Sequence, residues 1–464
     1  MSGFNGMLGV SFFDIETCLF QKMTCLMTEM MGRLLESLDA LLFEARDKDR
    51  YRVKETKEGR IDTLFGVIEF KRRVYEDKKT GERVYGLDEA LGLEKRTRIS
   101  PGLKRAAVLL AVDGPSYRGA RDSLKTFYGH QMISHEGIRQ CTLKVGGEIK
   151  RDIENQRDDP QGKRKVKVLF IEADGMWIPR QRSKKKEERF AISYEGWRKR
   201  RGAFGEYELV GRMHCYVDDP KEDFWEEVSR QICATYDLSS TIVVINGDRA
   251  KWIRLGVKYF PKALYQFDRF HLAKDIKACL REAPEACKAA LKALEENRPE
   301  EVLDVLRGVR LKNREAAWSL AYLICDLEQN PEAMVDYRLR LKAMGYDTTG
   351  MRGMGAAESN VNKFSRRLKR GRSWGNGLSA MMYALGKRFE GVLDRFTQRL
   401  EELENILDEK RLRTGAGHIV QEVLSDLSSI PRGHMPILDA GRNRSGGLSR
   451  SLRWLADALP SSLG

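Results

Sequence analysis

Val166-Lys167-Val168-Leu169-Phe170-Ile171-Glu172-Ala173-Asp174-Gly175 decides the fold. A run this apolar, rich in β-branched and aromatic residues, reads as a strand covered on both faces. It closes on an acid, Asp174. A second run has the same form: Thr241-Ile242-Val243-Val244-Ile245-Asn246-Gly247-Asp248 closes on Asp248. A third acid, Glu358, opens a basic helix, Glu358-Ser359-Asn360-Val361-Asn362-Lys363-Phe364-Ser365-Arg366-Arg367-Leu368-Lys369-Arg370. Two acids on strand ends and one on a later helix can converge on a pair of divalent cations, an arrangement that supports phosphoryl transfer on a polynucleotide.

Around the first run the pattern is that of an α/β core. A basic stretch from Arg180 to Arg189 follows it. Further strands are expected at Arg189–Trp197 and Tyr207–Val217, then a helix opened by Pro220, a fourth strand at Thr241–Ile245, a short helix after Asp248 and a fifth strand near Leu264–Phe267. Three strands, a helix and a strand is the order of an RNase H-like sheet, whereas a doubly wound sheet alternates strand and helix from the start. From His271 to about Met344 the chain is helical and highly charged, as an insertion or a lobe of the core. Glu358 then opens a helix through Lys369, and a further one covers Leu378 to about Leu407. The last forty or so residues, with Pro431, Pro436 and several Gly and Ser, read as loosely ordered apart from an amphipathic piece near Leu452–Leu459.

Upstream of the core, residues 11–48 read as a helix with a Met-rich apolar stripe through Leu19, Met23, Met27, Met30, Leu34, Leu38 and Leu41, suited to packing. Residues 52–90 read as a small hairpin module, with strands at Thr63–Phe70, Arg73–Tyr75 and Val84-Tyr85 and a turn at Thr80-Gly81. Residues 100–150 read as three helices: one opened by Pro101, one over Tyr117–Phe127, and one capped by Ser134 that runs to about Val145. That is helix-turn-helix-like, with Arg139, Gln140 and Lys144 available to face a DNA groove.

The 464 residues exceed one simple core. With 83 Lys and Arg against 68 Asp and Glu, the net charge of +15 favours polyanionic partners. The cysteines show no C-x-x-C or zinc-ligand spacing, which sets aside a structural zinc site and fits a reduced, cytoplasmic setting. The apolar N-terminus lacks a basic n-region and carries Asp14 and Glu16, unlike a signal peptide. No apolar run is long enough to span a membrane. Walker A, G-x-G-x-x-G, G-x-S-x-G and H-E-x-x-H motifs are missing.

Each acid also has a plain structural reading. Asp174-Gly175 suits a hairpin turn, Asp248 an N-cap, and Glu358 a helix dipole. Asp268 and His271 can position each other. From Arg180 to Arg201 there are ten Lys and Arg against three Glu, and from Lys363 to Arg372 six and no acid. Asn362, Arg366 and Arg370 fall near one helix face, along which a phosphate backbone could run. Trp374 could stack on a base or be buried.

Taken together, Glu172-Ala173-Asp174-Gly175, Asn246-Gly247-Asp248 with Trp252-Ile253, Phe267-Asp268-Arg269-Phe270-His271-Leu272, and Glu358 with Arg366, Lys369 and Ser373-Trp374 resemble the ISLre-type bacterial insertion-sequence transposases, which are Mutator-like DDE transposases. The resemblance runs from near Leu64 to about Leu385. It implies an RNase H-like catalytic core with a helical insertion before the third acid. Implied too are a metal-binding triad of Asp174, Asp248 and Glu358 holding two Mg²⁺ or Mn²⁺, and Asp268 and His271 as a C/D-x-x-H signature near the site. Its activity would be cleavage at element ends and strand transfer into target DNA. Its partners would be double-stranded DNA, bound through Arg139, Lys144, Arg366, Lys369, Arg370 and Trp374, and further copies of the chain, at least a dimer. One departure is Arg249, where Gly is expected; a side chain there could narrow the metal site. The expected organisation is an N-terminal helix (1–50), a hairpin module (51–97), a helix-turn-helix-like domain (98–160), the core (161–411, insertion about 272–345) and a tail (412–464). The alternative is a catalytically silent DNA-binding regulator derived from such an enzyme.

Overall fold

The computed structural model describes residues 11–397 except 94–97, 159–163, 201–205, 219–222 and 370. Arg370 and the 412–464 tail therefore lie outside the described residues. The described chain divides into two compact units, one ending at Lys104 and the other spanning Arg105–Thr397.

The first unit opens with helix α1 (Phe12–Ala45). Ser11 accepts from the Asp14 backbone N–H while the Asp14 carboxylate accepts from that of Ser11, a reciprocal capping box. Strands β1 (Tyr51–Thr63) and β2 (Gly66–Asp77) form a long antiparallel hairpin. Strand β3 (Arg83–Val84) pairs with β2, and helix α2 (Gly86–Ala90) follows. Met31, Leu35, Leu38 and Leu42 of α1 pack on Ile61, Ile68, Phe70 and Leu87. The expected turn at Thr80-Gly81 joins β2 to β3, with Gly81 at φ +72° and Tyr75 paired with Val84. The main hairpin turn is Leu64-Phe65. Most of β1 escapes a hydrophobic reading because its side chains are mostly charged and solvated.

In the second unit, helices α3 (Pro101–Asp113, which begins in the first unit), α4 (Tyr117–Tyr128) and α5 (His135–Asp158) come first. Ser134 caps α5 by accepting from the Gly137 backbone N–H at 2.9 Å. A two-residue strand β4 (Arg164–Lys165) leads into β5 (Val168–Ile178) and β6 (Lys186–Tyr194). Then come β7 (Gly196–Lys199), β8 (Tyr207–Val210) and β9 (Met213–Tyr216). Helix α6 (Phe224–Thr235), β10 (Tyr236–Asp237), β11 (Ile242–Gly247), the short α7 (Lys251–Arg254) and β12 (Ala263–Phe267) complete the sheet region.

The main sheet has the order β12-β11-β5-β6-β9. β11 runs parallel to β5 and β12, while β6 runs antiparallel to β5 and β9. Three departures from the expected strands have clear causes. β5 continues through Asp174-Gly175, which pair with Phe190 and Arg189 of β6, so these two residues lie within a strand and make no turn. The expected third strand breaks at Gly211, at φ +62°; β8 pairs with β7 in a separate ribbon and only β9 joins the sheet. β4 and β10 pair with each other.

Both sheet faces are covered, as the apolar strands require. Leu169, Ile171, Val243 and Ile245 join one core with α6 and with helices α8 (Arg269–Cys279), α9 (Pro284–Glu295), α10 (Pro299–Gly308) and α11 (Arg314–Glu328). The expected insertion is thus all helical among its described residues, and its apolar side continues the core. Val168, Phe170, Ile192 and Val244 join the opposite core. Val108, Val145 and Ile149 join it from α3 and α5, together with α12 (Tyr337–Ala343), α13 (Ala356–Leu368) and α14 (Leu378–Glu390). A last turn, α15 (Asp394–Thr397), follows.

The helix-turn-helix-like segment is corrected by this packing. Its third helix runs to Asp158, well past Val145, because Gly146 seats it against α14: a Cβ there would lie 2.4 Å from the Ala380 Cα. From Arg105 onward the segment belongs to the same compact unit as the main sheet.

Candidate active site

The parallel register of β5 and β11 sets the two aspartates side by side. Asn246 is the partner of Glu172. Two residues further along each chain stand Asp248 and Asp174. The approach is close, since a Cβ on Gly247 would come within 3.1 Å of the Ala173 carbonyl oxygen. Burial pushes the Asp174 carboxyl up to about 6; the Gly175 backbone N–H opposes this, and the charge of Asp248 adds to it. Asp248 accepts the Ala250 backbone N–H at 2.9 Å, which fixes the turn into α7. The expected N-cap role of Asp248 is corrected: Ala250 is the N-cap of α7, without a side-chain cap bond, and Asp248 shapes the turn two residues before it.

Asp268 and His271 lie near enough to act electrostatically on Asp174, the carboxylate raising its carboxyl and the imidazole lowering it. Asp268 caps α8, accepting the His271 backbone N–H at 2.9 Å, and it lies 3.0 Å from the imidazole Nδ1. It also accepts from the Asn246 side-chain amide at 3.1 Å, while the Asn246 Oδ1 is buried without a partner. The pair is therefore oriented by the ends of β11 and β12, with the imidazole partly open to solvent.

Glu358 stands in the first turn of α13, and its side chain is exposed. Among the described residues, no three His, Cys, Asp or Glu side chains gather as a group that could hold a metal ion. Asp174 and Asp248 are brought together, and Glu358 is not gathered with them. What fixes α13 beside β5 is a residue the sequence reading quoted without a role. Glu172, fully buried, accepts the backbone N–H groups of Gly355, Ala356 and Ala357 at 3.2, 3.0 and 3.0 Å and the Tyr194 hydroxyl at 2.6 Å. A carboxylate on the free N–H groups of a helix start satisfies both the hydrogen-bonding and the dipole requirement. An acid inside an otherwise apolar strand was the signal for it.

Arg249 does not narrow the site. Its guanidinium turns to the helical insertion and pairs with Asp275 and Asp326, each at 2.8 Å; Arg254 joins Asp326 at 3.1 Å. The candidate DNA contacts divide. Arg366 is exposed on α13, and Lys369 is half-buried at its end. Lys144 is exposed on α5, whereas Arg139 is held in a two-pronged pair by Glu136 on its own helix. Trp374 is buried: its indole N–H donates to the Leu368 carbonyl at 2.8 Å and its ring lies 5.0 Å from the Arg367 guanidinium. Arg367 is buried as well, stacked also on Tyr117, and burial lowers its pKa to about 10. Trp374 is a packing residue, closed to a nucleotide base.

An α/β protein with paired aspartates at adjacent parallel strands is the class these features define. The model of UPF0236, an uncharacterised protein family, matches residues 6–404, and the chain belongs to that family. A UPF0236 protein of Streptococcus gallolyticus, from a vanSb 3'region, is 26% identical over 442 residues, 91% of this chain and 93% of that protein. A UPF0236 protein of Caldanaerobacter subterraneus subsp. tengcongensis is 27% identical over 289 residues, 60% of this chain and 58% of that protein's length. Another from the same organism, 27% identical over 286 residues, carries eleven designations under one name. Among solved structures, the Drosophila P element transposase strand transfer complex matches over 71% of this chain and 90% of that one, at 12% identity and a TM-score of 0.24, too low to define a common fold. Among the described residues no helix is long and apolar enough to cross a membrane.

Proposed function

We propose that this chain is a DDE transposase with an RNase H-like core, cleaving DNA at element ends and joining the ends to target DNA. The observation that carries the reading is the adjacency of Asp174 and Asp248, at the same level of neighbouring parallel strands in a sheet ordered β12-β11-β5-β6-β9. The third acid rides on α13, which Glu172 fastens to the strand of Asp174. The net charge of +15 suits a DNA partner. Eleven designations under one name in a relative, read as one sequence repeated in one genome, are what a mobile element would leave.

The donor chemistry suits Mg²⁺ or Mn²⁺. Asp174 and Asp248 are hard oxygen donors, and a divalent cation would relieve the cost of charging Asp174, which comes chiefly from burial and in smaller part from the charge of Asp248. Asp174, Asp248 and Glu358 would hold the metal, two ions per site. When bound, the ions would supply Lewis-acid stabilisation of the attacking and leaving oxygens. The protein's own part is positional. The paired strands hold two carboxylates, Asp268 fixes the orientation of His271, and the exposed Arg366 of α13 with the half-buried Lys369 at its end would meet DNA phosphates. Pairing two ends would require at least two copies of the chain.

The second reading, a DNA-binding regulator without chemistry, is favoured by one feature: Glu358 is exposed and not gathered with the aspartates. Cleavage and joining on a plasmid with the gene's native flanks and Mg²⁺ separates the two. End-specific nicks and joined products that vanish in Asp248→Asn are expected. End binding by wild type without any cleavage would replace the transposase with the regulator.

A further inference from the structure

Most arginines whose surroundings are described on this chain sit against a carboxylate, as Arg139, Arg249 and Arg388 do. Three neighbouring cations depart from that rule. Arg212 follows Gly211, at the break between β8 and β9. Two residues on, His214 anchors the start of β9 to α13: its Nε2 lies 3.3 Å from the Asn360 Oδ1, and its ring packs on Phe364. This places Arg212 beside the turn of α13 that carries Lys363. Lys363 and Arg366 are three residues apart on that helix, about 60° apart around its axis, and both are exposed. The Lys363 ammonium is steadied 5.7 Å over the Phe389 ring.

No ion pair closes on any of the three among the described residues, and the Arg212 Nε is buried without a hydrogen-bond partner. Glu390 and Glu208 are the acids that act on Arg212. Glu390 is already engaged, accepting the His214 backbone N–H at 2.7 Å and pairing with Lys387 at 2.8 Å. Glu208 pairs with Arg198 at 2.7 Å. Partial burial, with Arg212 and Arg366 adding like charge, lowers the Lys363 ammonium from its ordinary value. Like charges held together without a compensating acid cost stability, and an anion between them removes that cost.

We propose that Arg212, Lys363 and Arg366 form a cradle for backbone phosphate of duplex DNA, beside the helix that carries Glu358. The inference rests on the transposase reading for the identity of the polyanion and adds Arg212 and Lys363 to the DNA-contacting surface. A guanidinium offers a planar fork to phosphate oxygens and an ammonium a point charge, so the cradle would grip the backbone and read no sequence.

The test is binding of the full chain to fluorescent duplex carrying the gene's flanks, in EDTA so that no cleavage intervenes, across a range of KCl. The triple variant Arg212→Gln, Lys363→Gln, Arg366→Gln is expected to flatten the dependence of log Kd on log salt by about 1 for each phosphate it no longer neutralises. Arg230→Gln, which removes a cation already paired with Glu226, should leave the slope as it is. Should the triple variant misfold by circular dichroism, Lys363→Gln alone carries the test, because its side chain is at the surface. Unchanged slopes in folded variants that still bind as wild type does would overturn the cradle and leave the transposase reading standing. A wild-type chain that binds no duplex would overturn both.

Discussion

The Glu172 carboxylate accepts the Ala357 backbone N–H at 3.0 Å, so the strand that carries Asp174 holds the start of the helix that carries Glu358. With Gly355, Ala356 and the Tyr194 hydroxyl also bonded to it, this buried acid satisfies four donors. Glu172→Gln keeps the volume, removes the charge and turns one acceptor into a donor facing N–H groups. A loss of about 2–3 kcal/mol of folding stability is expected, since charge-assisted hydrogen bonds are replaced by a mismatch. Tyr194→Phe removes one donor and should cost about 1 kcal/mol. Denaturant melts check both, and equal effects of the two would dismiss the helix-start role. Any transposase activity should fall with Glu172→Gln, because Glu358 loses its support.

Asp174 makes stability depend on pH. Its folded carboxyl titrates near 6, above the ordinary value of 3.8, chiefly through burial. The native state therefore holds a proton that the unfolded chain has released between about pH 4 and 6. Stability contributed by that proton is full below pH 4 and lost as pH rises through 6, by roughly 3 kcal/mol. Asp174→Asn should raise the melting temperature at pH 7.5 and change it little at pH 4. Mg²⁺ should stabilise wild type at pH 7.5 and not the variant. A melting difference that stays constant across this range would remove the buried-carboxylate account.

Arg249 ties the Asp248 turn to the insertion through Asp275 and Asp326. Arg249→Gly, the residue expected from the resemblance, leaves the largely buried Asp326 with Arg254 alone. Stability should drop by about 1–3 kcal/mol, because an internal acid loses half its compensation. Hydrogen exchange should rise in α11 and in the turn after β11 together. Faster exchange in only one of them would show that the pairs do not couple the two.

These sites differ in how far a sequence displays them. Val168–Ala173 and Ile242–Ile245 are covered on both sheet faces, and continuous apolar runs reveal that. Asp174 and Asp248 were legible because they close such runs. The Leu64-Phe65 turn was hidden because β1 leading into it is solvated and charged, so periodicity carries little signal there. Arg249 and Trp374 were misjudged for another reason. Their roles are set by partners far along the chain: Asp326 for the first, and the backbone of Pro179 and Gln181, which bonds to that of Trp374, for the second. No local pattern encodes such pairings.

Gly146 shows the same limit and gives the last prediction. A Gly146-Gly147 pair reads as a helix stop, since glycine is the poorest interior helix former after proline. In the structure α5 continues through it to Asp158, because Gly146 lets the helix approach α14, where an added Cβ would lie 2.4 Å from both Cα and Cβ of Ala380. Gly147 has open space at the same position. Helix propensity alone would make alanine favourable at both sites, by up to about 1 kcal/mol. The close approach reverses the sign at one of them. Gly147→Ala should stabilise the protein, whereas Gly146→Ala should destabilise it by about 1–3 kcal/mol through overpacking against backbone. Chemical denaturation of the two single variants decides the matter. If both stabilise, α5 does not sit against α14 as described.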